Sequence, residues 1–187
     1  MLVNWSFISQ LEGGRRLIGY VSGSGTDEGG VTVATGVDLG RYPPSAIDAL
    51  RVADDLKAKL RPYAGLKGEA AAAALSEHPL GLTSAEAEAL DDAVKKPIVQ
   101  QVIAQYNAAV QDKGHLLPFE MLPEAAQTVI ASVALQHGSD LAAKVPRFWE
   151  CVCSQDWPGA VGELEQWGNA HHARHKHEAE LLRSIYQ

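Results

Sequence analysis

Two acidic residues are framed as chemistry would require. Glu12 ends a short apolar segment and is followed directly by Gly13 and Gly14, while Asp38 closes the run VTVATGV, in which β-branched residues alternate. Two carboxylates on either side of a cleft are the equipment of glycoside hydrolysis, one protonating the leaving oxygen and the other serving as base or nucleophile. On the residues alone the pattern is open, since a Glu at a helix end is ordinarily solvated and a Thr such as Thr32 suits any strand. Asp27, within GTDEGG, reads as a turn former.

The elements that must position these side chains follow from the spacing of apolar residues. Val3, Phe7, Ile8 and Leu11 mark one face of a short helix that Gly13 and Gly14 stop. From Leu17 to Leu39 the alternation and the Gly-rich turn predict a hairpin or a three-stranded sheet. After Pro44 the chain turns helical, with Ser45 the expected N-cap of a helix over Ala46 to Leu60 and a second helix over Lys67 to Ser76. Thr83 followed by Glu86 is a capping box that opens a helix running to Lys95 or Lys96. Pro97 is expected to reset the chain and begin a new helix over Ile98 to Val110. The nearly all-apolar AAQTVIASVALQHG predicts the central core helix, ending at Gly138. Further helices are expected around Leu141 to Ser154, Pro158 to Trp167 and Ala173 to Tyr186. The fold class is therefore α+β and mostly helical. Residues 1–187 form a single domain, with an N-terminal α+β lobe and connecting helix over 1–60 and a helical lobe over 61–187.

Composition limits the functions worth considering. A formal net charge of −7 argues against nucleic acid as the main partner, because phosphate binding needs a basic surface. The longest apolar run, TVIASVAL, falls far short of the ~20 residues that span a bilayer, so membrane insertion is not expected. The first residues lack the charged lead and sustained apolar core of a secretory signal, which predicts synthesis in the cytoplasm. Cys151 and Cys153 are too close for a comfortable disulfide and too few for a zinc site, and read as reduced packing residues. The segment HHARHKH at 171–177 offers His171 and His175 at helical spacing, but without carboxylates at ligand spacing it reads, Arg174 excepted, as a solvated helix start, and no metal is expected.

LEGGRRLIGY, a glycine-rich loop and then GVTVATGVDLG together resemble the catalytic hairpin of phage-type lysozymes. The closest likeness is to the pesticin branch, bacterial toxins with a lysozyme-like muramidase domain, because Asp38 follows Thr32 rather than preceding it. LTSAEAEAL is similar to a helix start of phage lysozymes, PEAAQTVIASVALQHG to their core helix, and Trp167 with Arg174 to the family's Trp and the Arg that pairs with the catalytic Glu. The chain departs from the pattern in a longer loop between Glu12 and Thr32, in Val37 where the hairpin His stands, and in Ala34 where one glycine of Thr-x-Gly-x-Gly stands.

The resemblance implies a lysozyme-like fold and a muramidase that cleaves the β-1,4 bond between N-acetylmuramic acid and N-acetylglucosamine, with no cofactor. It implies Glu12 as general acid, Asp38 as general base, Thr32 as the residue that orients the attacking water, Gln136 as support for substrate and Arg174 as the partner of Glu12. The implied partner is the peptidoglycan glycan strand, with a cognate immunity protein and a secretion carrier as further expectations and the target cell's periplasm as the place of action. Two other readings compete: an endolysin released at phage lysis, and a non-catalytic cell-wall-binding module on the same fold. Asp38 is favoured over Asp27 because a strand fixes its position, whereas glycines surround Asp27.

Overall fold

The computed structural model describes residues 1–21, 29–167 and 172–187. Ten α-helices, three short 3-10 helices and a three-stranded antiparallel sheet are found among the described residues, a mostly helical α+β fold. The backbone contacts divide the chain into two units, Glu12–Lys96 and Met1–Leu11 with Pro97–Gln187. The sequence places the change of lobe near residue 60, whereas the contacts keep residues 61–96 with the sheet.

In the first unit, β1 (Arg16–Val21), β2 (Val31–Ala34) and β3 (Val37–Asp38) lie in that order, as the alternation predicts. Tyr20 pairs with Thr32, and Thr32 with Asp38, so these three residues form one row across the sheet. Val31, Val33, Val37 and Leu39 are buried against Leu56, Leu60, Ala71, Ala87 and Leu90, which gathers the short helices around the sheet. Those helices are α2 (Pro44–Ala49), α3 (Asp54–Leu60), α4 (Gly68–Glu77) and the first part of α5 (Ser84–Val110). Glu86 closes the capping box, accepting from the Thr83 N–H at 2.8 Å while its own N–H donates to Thr83 Oγ1 at 3.2 Å. The Lys59 ammonium and then the Thr83 N–H hold the Glu86 carboxyl down at about 2.

Three expectations fail here for identifiable reasons. The single helix over Ala46 to Leu60 is broken, because Leu50 takes an extended ψ of 140° and α3 restarts at Asp54 and Asp55, carboxylates suited to a helix N-terminus. Ser45 is inside α2 rather than capping it, and Pro43 occupies the cap position. Pro97 does not end a helix: α5 runs through it without interruption. An internal proline costs about 3 kcal/mol, and burial on both sides of it opposes that cost. Ala87 and Leu90 are fixed in the core of the first unit, and Val99, Val102 and Tyr106 in the core of the second.

In the second unit α6 (Glu124–His137) is the buried axis, with Ala126 through Ala134 fully enclosed. Around it pack α1 (Trp5–Leu11), α7 (Leu141–Lys144), α8 (Pro146–Cys153), α9 (Trp157–Gln166) and α10 (His172–Arg183). Pro146 divides the predicted Leu141 to Ser154 helix into α7 and α8, taking the first helical position of the latter. The Gln127 side chain ties the N-terminus to this axis, accepting from the Leu2 N–H at 2.7 Å and donating to the Leu122 carbonyl at 2.9 Å. Cys151 and Cys153 are free thiols, and burial pushes Cys153 up to about 11, as suits a packing residue. No helix among the described residues is long and apolar enough to cross a membrane.

Candidate active site

In the unit that holds the sheet, Glu12 is the first residue after α1, and Gly13 and Gly14, both at φ 83°, carry the chain away from the helix. Its carboxylate lies against the turn between β2 and β3. A Cβ built on Gly36 would come within 3.0 Å of Glu12 Oε2, and φ at Gly36 is 75°, so a side chain there would both strain the backbone and crowd the acid. Ala34 keeps a φ of 53°, the conformation that favours the glycine of the family pattern. Val37, in place of the family's histidine, is buried and pairs with Val33.

Thr32 and Asp38 are directly opposed on neighbouring strands, which puts their side chains on one face of the sheet. Thr32 is buried, and its hydroxyl reaches the Gly30 carbonyl only at 3.4 Å, the long limit of a hydrogen bond. Asp38 is more constrained. Its Oδ1 accepts from the Gly40 N–H at 2.9 Å, capping the short 3-10 turn Leu39–Arg41, and Arg41 Nε stands 3.4 Å from Oδ2. Gly30 passes so close that a Cβ there would collide with Asp38 Oδ1. The carboxylate is therefore held by a backbone donor on one oxygen, with 21% of the side chain exposed. Desolvation raises the neighbouring Tyr42 phenol, partly offset by Arg41. Asp27 lies outside the described residues.

The other two expected site residues belong to the second unit. Gln136 stands in the last turn of α6, with its side-chain oxygen buried and without a hydrogen-bond donor among the described residues. Arg174, in the first turn of α10, is built into a polar cluster around Glu178. Glu178 is fully buried, and its Oε1 accepts from Ser132 Oγ at 2.5 Å and from Arg174 Nε at 3.1 Å, while Oε2 meets His175 Nδ1 at 2.9 Å. Arg174 Nη2 donates to the Ser132 carbonyl at 3.1 Å and to its hydroxyl at 3.0 Å. Trp167 stands edge-on to His175 at 4.9 Å and to His137 at 5.3 Å, walling the cluster with aromatic surface.

The expectation of a solvated helix start, Arg174 excepted, holds at Lys176 and His177, which are exposed, and fails at His175. Arg174 is only 10% exposed and His175 not at all, because the buried Glu178 draws both inward. His171 lies outside the described residues. Sequence reasoning also passed over Ser132 and Glu178, although a serine inside an apolar helix and an Arg four residues before a Glu were both visible signals. Asp91, buried on α5 and bonded to the hairpin turn, was missed as well.

Residues 2–158 match the model of the family described as "Pesticin: Bacterial toxin homologue of phage lysozyme, C-term". No curated protein gives a significant match to the chain.

Proposed function

Because this chain belongs to the pesticin family, bacterial toxin homologues of phage lysozyme, and so carries a lysozyme-type peptidoglycan hydrolase domain, we propose that it is a muramidase acting as an antibacterial toxin. The bond cleaved is the β-1,4 link from N-acetylmuramic acid to N-acetylglucosamine. The observation that carries this reading is the Glu12 carboxylate at the tip of a hairpin whose strands hold Thr32 opposite Asp38, all within one unit.

In this reading Glu12 gives its proton to the glycosidic oxygen as the bond to the anomeric carbon breaks. Water forms the new bond to that carbon, and its proton passes to Asp38, while the Thr32 hydroxyl orients the water. Asp38 suits a base because the Gly40 N–H fixes one oxygen and leaves the group partly open. Positioning of this kind matters, since a misplacement of about 1 Å costs on the order of a hundredfold in rate. Gln136 is assigned to substrate support and Arg174 to the support of Glu12, roles carried over from the family pattern.

Asp38→Asn is expected to reduce turnover by about a hundredfold, the lower range for losing a general base, whereas Asp27→Asn costs much less. Turbidity loss of a peptidoglycan suspension measures both. The reverse ranking overturns the assignment of Asp38 and restores the order in which the Asp precedes the Thr.

The toxin role has its own test. The substrate lies outside the cytoplasm, so the chain expressed there should be harmless, and the same chain carrying a secretion signal should lyse the cell. Equal toxicity in both compartments contradicts the reading. A cognate immunity protein, and a carrier that delivers the toxin to the target's periplasm, are partners that suit this role.

A further inference from the structure

We infer that Asp91 is a positioning residue for Glu12, a role that rests on the reading of Glu12 as the general acid. Asp91 lies on α5 and is 7% exposed. Its carboxylate collects donors from three directions. Oδ1 accepts from the Thr35 N–H at 3.0 Å and stands 3.6 Å from Lys95 Nζ. Oδ2 accepts from Thr35 Oγ1 at 2.7 Å and from Arg15 Nε at 3.2 Å.

Two of these partners flank the acid. Thr35 sits in the turn between β2 and β3, between Ala34 and Gly36, both in the left-handed region, and Gly36 is the residue against which the Glu12 carboxylate lies. Arg15 follows Glu12 after the two glycines that carry the chain from α1 into β1. One buried carboxylate therefore anchors both the segment that bears Glu12 and the turn that Glu12 touches. One segment contains two glycines at φ 83° and the other is a turn with Ala34 and Gly36 at positive φ, so each benefits from a fixed anchor. Burying an ionised group is costly unless its oxygens are satisfied, and here they are satisfied by the parts of the chain that must hold still. A site needs its reacting group held to within about 0.5 Å, and this anchor supplies that constraint from behind the turn.

The test compares Asp91→Asn, Thr35→Val and Thr35→Ser with Glu12→Gln on a soluble peptidoglycan oligomer, with each fold checked by circular dichroism. Asp91→Asn and Thr35→Val should each lower kcat by roughly ten- to a hundredfold, the range for slight misplacement of a catalytic group, with KM within twofold. Thr35→Ser keeps the hydroxyl and should restore turnover to near the parent level. The Thr35 pair decides the matter should Asp91→Asn fail to fold. Wild-type kcat in Thr35→Val, or a raised KM with unchanged kcat, overturns the inference while an inactive Glu12→Gln leaves the muramidase reading standing. Turnover retained in Glu12→Gln removes the acid itself, and the inference with it.

Discussion

Glu12→Gln is expected to lower peptidoglycan turnover by roughly a thousand- to ten-thousandfold, the upper range for loss of a general acid, while melting temperature stays within a few degrees. Glutamine has the shape of the protonated acid but no proton to give, so the leaving oxygen departs as a poor leaving group. The fold should tolerate the change. Glu12 is only half buried, stands after the last turn of α1 and belongs to neither apolar core. A variant that loses activity and stability together would mean that Glu12 holds the hairpin rather than acting on substrate. One that keeps activity would remove it from the mechanism.

Glu178→Ala should produce the largest loss of stability among the polar substitutions, about 3–5 kcal/mol, the range for breaking a buried ion pair from one side. The substitution leaves the Arg174 guanidinium without its buried carboxylate and takes the acceptor from Ser132 and His175. The exposed Glu180 on the same helix is the control, since His177 meets it only at the surface. Glu180→Ala should stay within about 0.5 kcal/mol. Urea denaturation measures both, and equal midpoints would place Glu178 on a solvated face.

Much of this molecule is written in local patterns. The Thr83 and Glu86 box, the apolar run of α6 and the alternation in VTVATGV each specify their element without help from distant residues, and the structure has all three. The family likeness puts Glu12 just after the first helix and Thr32 and Asp38 on the hairpin that follows, and the three residues lie in one unit.

Two of the failures share one cause, tertiary burial overriding a local rule. Pro97 reads as a helix start but lies inside α5, whose two halves are fixed in different cores. The run of histidines and basic residues reads as a solvated face, but a glutamate one turn further on makes its inner side a buried polar cluster. The clearest omission is Asp91. In LDDAV nothing distinguishes it from its exposed neighbour Asp92, and only the fold reveals that Thr35 and Arg15 converge on it.

The central claim, that this chain is a muramidase, is tested most directly by the products of digesting purified peptidoglycan sacculi. Reducing-end analysis should find muropeptides that end in reducing N-acetylmuramic acid, because water attacks the carbon that the protonated oxygen leaves. Products ending in reducing N-acetylglucosamine, products carrying an anhydro ring, or a cleaved amide with intact glycan would contradict it.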